Sequence, residues 1–266
     1  MVPLHGARAK VVRAKEHLRS LEERVADFVE SDPYRVVRDL DPQTGAHRRY
    51  AVIERQPPPE LPLIIGDAVH NLRSALDHAI FEIATRAAAG RLTHRQEERL
   101  FFPIFSNRAK YANSLPVKHT MELLPLEVQE YVERRQPYNV DARRRRARLN
   151  DPLCVLQSMW NTDKHRTLLL TAAIARLPFS EELREAPEGS FRFTGAVVDN
   201  GSEVLHVLPG YDPEEYFKAH FAAQVSFTVG GPVRQPIATR TAVDRYLDGV
   251  ARAVEWEVGQ LERLCP

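Results

Sequence analysis

Residues 61–89 read LPLIIGDAVHNLRSALDHAIFEIATRAAA. At about 100° per residue, Val69, Leu72, Leu76, Ala79, Ile80 and Ile83 fall on one side of a helix. Arg73, Asp77, His70, Ser74, Asp67, His78 and Asn71 fill the opposite arc. A solvated helix face is ordinarily built of Lys, Glu, Gln and Ala. This arc has no Lys but two His, an Asn and an Arg between carboxylates, types suited to specific hydrogen bonds, proton transfer or metal ligation. The stretch is expected to form a long central helix that carries the candidate site.

Towards the N-terminus, Val11, Ala14, Leu18, Leu21, Val25 and Phe28 recur at gaps of three and four, which predicts an amphipathic helix over 7–30 that Asp32 and Pro33 end. YRVVRDLD from Tyr34 and AHRRYAVIER from Ala46, on either side of PQTG, predict a β-hairpin. Pro57, Pro58 and Pro59 stiffen the lead into the central helix, and Pro62 suits its first turn.

Towards the C-terminus the chain turns irregular. FFPIF at 101–105 is followed by a short helical piece near 107–113 and by LPLEVQEYVERR, which Pro125 can start as a helix. Residues 134–148 then hold Arg134, Arg135, Arg143, Arg144, Arg145, Arg146 and Arg148 against one acid, Asp141. Asp151 as N-cap and Pro152 at the first helical position open a helix through PLCVLQSMWNTDKHRTLLLTAAI. It carries a second polar cluster, Asn161, Asp163, Lys164, His165 and Arg166. SFRFTGAVV and EVLHVL flank Asp199-Asn200-Gly201-Ser202, whose Asn-Gly is a hairpin signal, and AQVSFTV alternates around Val225, Phe227 and Val229. Val243, Leu247, Val250, Val254, Val258, Leu261 and Leu264 mark a closing helix that would lie against the first. The expected fold is α+β: a single domain over 1–266, a helical bundle of long amphipathic helices with an antiparallel sheet of about five strands from hairpins at 34–54 and 190–229.

Composition narrows the function classes. Of 266 residues, 43% are apolar and 27% charged, a globular balance, and the net charge of +1 gives no global pull towards nucleic acid or membranes. Cys154 and Cys265 are far apart and lack metal-ligand spacing, which suits a reducing cytoplasm. The N-terminus has no signal-peptide core, and the longest apolar stretch, LLLTAAIA after Thr167, is too short to span a bilayer. No Gly-rich phosphate loop, G-x-S-x-G elbow or H-E-x-x-H is present, so no cofactor is expected.

In the central arc, the His78 imidazole could take or give a proton near neutral pH, and the Arg73 guanidinium could pair bidentately with phosphate. Asp77 pairs more naturally with Arg73, four residues earlier, than with His78; in the plainer reading that pair is an ordinary helix ion pair. A metal reading uses Asp67, His70, His78 and His165. In WNTDKHR, Asn161, Lys164 and His165 can share a face, while Asp163 projects elsewhere, and Lys164 and His165 would complete an anion pocket opposite Arg73. Alternatively Trp160 is core, Asp163 and Lys164 are solvated, and Asn161 or His165 satisfies a buried backbone group. Arg144 and Arg145 could contact nucleic-acid phosphates with Tyr138 stacking on a base, or the whole run could be a solvated loop. His206 reads as a packed or edge histidine.

Taken in order, HNLRSALDH at 70–78, FPI at 102–104, QPY at 136–138 and WNTDKHR at 160–166 resemble blocks of an uncharacterised bacterial, especially actinobacterial, family, a resemblance that imports no activity. Arg73, four residues, then His78 also resembles the Arg-(four to six residues)-His signature of HEPN-type ribonucleases, which sits on a helix of an all-α domain. Ser74 stands where that family usually has Asn, Asp or His. The resemblance implies metal-independent RNA cleavage in a homodimer, with His78 handling the ribose 2′-hydroxyl proton and Arg73 stabilising the phosphate. The leading expectation is therefore an endoribonuclease or other phosphodiester-directed hydrolase. Arg73, His78 and His165 are its catalytic candidates, Asn71, Lys164, Arg144 and Arg145 its substrate-binding ones, and RNA its partner. The alternatives are a non-catalytic interaction protein with a structural buried polar network, or a His/Asp metal-binding helical-bundle protein.

Overall fold

The computed structural model describes residues 3–31, 33–140, 150–164, 169–176, 191–193, 203–207, 221–228 and 243–265. The first apolar stripe forms helix α1 (His5–Glu30), whose Ala7, Val11, Ala14, Leu18, Leu21, Val25 and Phe28 are all buried. The central stretch forms α2 (Glu60–Ala87), with Pro59 at its N-cap position. It closes where Ala89 and Gly90 take φ values of 50° and 72° and the Gly90 N–H donates to the Thr85 carbonyl at 2.8 Å. This left-handed closure satisfies carbonyls that the helix end would otherwise strand.

Between α2 and the next long helix lie α3 (His94–Glu97), the extended segment 101–105, α4 (Arg108–Ala112), α5 (Leu115–Met121), α6 (Leu126–Arg134) and a 3-10 turn at Pro137–Asn139. Asp151 then caps α7 (Pro152–Asp163), its carboxylate accepting from the Leu153 and Cys154 N–H groups at 3.0 and 3.3 Å. The closing helix is α8 (Val243–Leu264).

Helices α1, α2, α7 and α8 form a bundle whose directions follow from their cross-links. Gly6 lies beside Glu82 and Arg24 beside Glu60, so α1 and α2 are antiparallel. Arg8 pairs with Glu262 and Lys15 with Glu255, so α1 and α8 are antiparallel as well. Asp163 sits at Gly66 while Trp160 reaches Arg73, which makes α7 antiparallel to α2. Leu72, Leu76, Ile80 and Ile83 of α2 join Leu153, Leu156 and Met159 of α7 and Leu247, Val254 and Leu261 of α8 in one core. Each fully buried Leu or Ile there contributes about 1.5–3 kcal/mol of apolar burial.

The expected sheet requires correction. The described residues are mostly helical, and among them there is no five-stranded antiparallel sheet. Helix α7 stops at Asp163 instead of running on to Ile174, and Leu169–Arg176 is strand β3. It pairs antiparallel with β6 (Phe221–Thr228), taking that strand away from the others. β1 (Tyr34–Leu40), β2 (His47–Ile53), β4 (Phe191–Phe193) and β5 (Glu203–Val207) associate in the order β1-β2-β5-β4. A short apolar run such as LLLTAAIA has no period that separates a buried strand from a buried helix, so its sequence fits the tail of α7 as well as a strand. Among the described residues, no helix is long and apolar enough to cross a membrane.

Candidate functional site

The polar arc of α2 spans too wide an angle to serve one site. Arg73 and His78 are five residues apart, about 140° around the helix axis, and they enter different surroundings. Arg73 is 4% exposed. Its Nη2 donates to the Phe102 carbonyl at 2.7 Å, and its Nη1 lies 2.9 Å from Asp77 Oδ1. The same Asp77 oxygen accepts the Phe102 N–H at 2.8 Å. Both polar groups of the Phe102 backbone are therefore held by one ion pair from α2, while the Phe102 ring is fully buried in the core. Burial pushes the Asp77 carboxyl up and the Arg73 guanidinium down, and each opposes the other's shift by its own charge.

A second clamp continues along the same extended segment. Gln136 is 1% exposed. Its Oε1 accepts from Phe105 N–H at 2.9 Å, and its Nε2 donates to the Pro103 and Val132 carbonyls at 2.8 and 2.9 Å. An extended chain buried away from a sheet has no ladder to satisfy its backbone, so side chains must do so. The HNLRSALDH, FPI and QPY blocks are thus parts of one internal network.

His78 occupies the other edge of the arc and is exposed. A Cβ on Gly6 would stand 2.9 Å from His78 Nδ1 and 2.8 Å from Glu82 Oε1, so α1 begins against these two side chains. Glu82 Oε1 accepts from the Gly6 and Ala7 N–H groups at 2.8 and 3.1 Å. A carboxylate there satisfies donors that the first turn leaves open and complements the helix dipole. His78 is a neighbour of this cap, and it touches the Arg73 pair only as the weakest of the charges acting on Asp77.

Between the edges, α2 meets the end of α7. Asp163 packs so closely that a Cβ on Gly66 would stand 2.7 Å from its Oδ1. Burial and the Asp67 charge push the Asp163 carboxyl up, and His70 works against them. The expectation that Asp163 projects away from the site is corrected: among the described residues of its cluster, Asp163 packs against α2 at Gly66. Asn161 and Lys164 are exposed. The Lys164 ammonium lies 3.8 Å from the centre of the Trp160 ring, and the Arg73 guanidinium 5.6 Å from it. Asn71 donates to the Asp67 carbonyl at 2.8 Å, within its own helix.

His165, Arg144 and Arg145 lie outside the described residues. Of the basic run, Arg135 is already committed. It and the Tyr131 hydroxyl donate to the fully buried Glu257 carboxylate, and it reaches Asp151 at 3.3 Å. Among the described residues no three His, Cys, Asp or Glu side chains gather as a metal site would require. Of the candidate ligands, His70 and Asp67 face α7, whereas His78 faces α1.

Sequence reasoning missed Gly66, Gly6, Glu82 and Gln136. Gly66 had a usable signal: a mid-helix glycine costs about 1 kcal/mol relative to alanine, and close approach of another group is a common reason to keep one. No protein-family model, curated protein or solved structure matches the chain.

Proposed function

We propose that this is a non-catalytic binding protein in which Arg73 and Asp77 of α2 and Asp163 of α7 serve internal architecture. The supporting observation is the burial of Arg73: it is 4% exposed, with Nη2 on the Phe102 carbonyl and Nη1 beside Asp77, and its guanidinium is withdrawn from any phosphate in solution. The network mounts residues 91–140 on the helical bundle. That region presents Leu115 and Leu126, 65% and 68% exposed, to the outside. The unbridged Cys154 and Cys265 suit a reducing compartment such as the cytoplasm.

The competing reading is a metal-independent endoribonuclease in which RNA meets Arg73 and His78 from two protomers. His78 supports it by remaining exposed. One preparation assayed for RNA cleavage with and without chelator, beside His78→Ala, separates the two. The binding-protein reading expects no cleavage above background in either protein. Chelator-resistant cleavage that disappears in His78→Ala would replace it with the ribonuclease.

A further inference from the structure

We infer that the groove between α3 and α5 binds a small phosphate monoester with an apolar or aromatic body. This inference stands independently of whether the α2 arc is catalytic. The groove has a volume of about 400 Å³, within the range of small-molecule sites. Arg95 and Arg99 form one wall, His119 and Glu122 the other, and Leu100 and Leu123 supply apolar surface.

The charge arrangement favours an anion. Arg95 and Arg99 are four residues apart, and among the described residues neither guanidinium has an acidic partner. The nearest acids in sequence, Glu97 and Glu98, are directed instead to His94, at 3.9 and 3.2 Å. The one acid lining the groove, Glu122, lies 4.0 Å from His119 Nδ1. Two guanidiniums on one wall thus face open space, with ten N–H donors between them.

The walls are fixed in advance. Thr93 and Gln96 form a reciprocal capping box at the start of α3. The Thr120 hydroxyl of α5 donates to the Arg99 carbonyl at 3.1 Å, tying one wall to the other. Leu100 and Leu123 pack against the main core from beneath. A preformed site loses less ordering entropy on binding.

Phosphate suits these donors better than carboxylate. A monoester carries close to two negative charges at pH 7 and three acceptor oxygens, enough to engage two guanidiniums at once. The leucines then favour an ester with an apolar body over free phosphate.

Calorimetric titration of the full chain with phenyl phosphate, inorganic phosphate and phenol tests the assignment. Saturable binding of phenyl phosphate is expected, with inorganic phosphate weaker and phenol silent. Arg95→Gln and Arg99→Gln should each weaken phenyl phosphate about tenfold, as loss of a charged hydrogen bond does, and the double variant should abolish binding. Arg19→Gln, on the exposed face of α1, should leave it unchanged, and unfolding curves should show all variants folded. Absent binding, or binding that survives the double variant, overturns the site. Equal affinity for inorganic phosphate overturns the apolar-body part of the assignment.

Discussion

Arg73 and His78 belong to the same helix and the same nine-residue block, yet one is sealed and the other open. Arg73 is 4% exposed and closed by Phe102 and Asp77, while His78 is exposed beside the start of α1. The difference comes from azimuth. A five-residue step turns the chain about 140°, which is enough to place one side chain under an inserted segment and the other over a neighbouring helix. Residue types in a short motif establish what chemistry is available. The packing around the helix decides which of it can meet.

The strongest way to sharpen this contrast is to truncate both residues. Arg73→Ala removes one partner from a buried pair and leaves Asp77 without its counter-charge and the Phe102 carbonyl without its donor, so a loss of about 3 kcal/mol is expected in urea unfolding. His78→Ala should cost no more than about 0.5 kcal/mol, as exposed substitutions do. Equal losses would break the comparison.

The exposed edge should answer to Glu82 instead. Glu82→Ala removes the acceptor for two N–H groups at the start of α1 and is expected to cost about 1–2 kcal/mol, in the range of lost helix caps. If it costs less than His78→Ala, the helix start is held by something else.

At the α2–α7 crossing the prediction is a change of sign. Gly66→Ala drives a methyl into Asp163 and should destabilise by about 1 kcal/mol. With Asp163→Ala in place the same change should stabilise by about 0.5–1 kcal/mol, the ordinary helix-propensity gain. A stabilising Gly66→Ala in the unmodified chain would show that the approach is looser than described.

The smallest effect expected is in acid. The hydrogen bonds from Arg8 hold the Glu262 carboxyl below its ordinary value of 4.5, with burial opposing and the Leu4 N–H assisting. A carboxyl depressed in the fold stabilises fully above its unfolded value, and that contribution is lost as pH falls through the folded value. Glu262→Gln should therefore flatten the acid limb of the stability profile below about pH 4.5. An unchanged slope would assign that limb to other groups.

Much of the helical body was legible in the sequence. The stripes of α1, α2 and α8 are long enough for a 3.6-residue period to declare itself, and Asp151-Pro152 marks the start of α7 chemically. The end of α7 was not legible, because LLLTAAIA is apolar on every side and fits a strand as well as a helix. The site was legible in its parts but not in its assembly. The block order linked HNLRSALDH, FPI and QPY, but sequence carries no record that Asp77 reaches a backbone N–H 25 residues away. It likewise gave no reason to choose Asp163 over Asn161 and Lys164, since the choice depends on the crossing at Gly66.

Amide hydrogen exchange at Phe102 tests the central claim most directly. If Asp77 and Arg73 clamp that residue to α2, its N–H should exchange as slowly as the core amides of α2 and become fast in Asp77→Ala. Exchange in the unmodified protein at the rate of an open loop would mean that the clamp does not exist and that Arg73 is free for other chemistry.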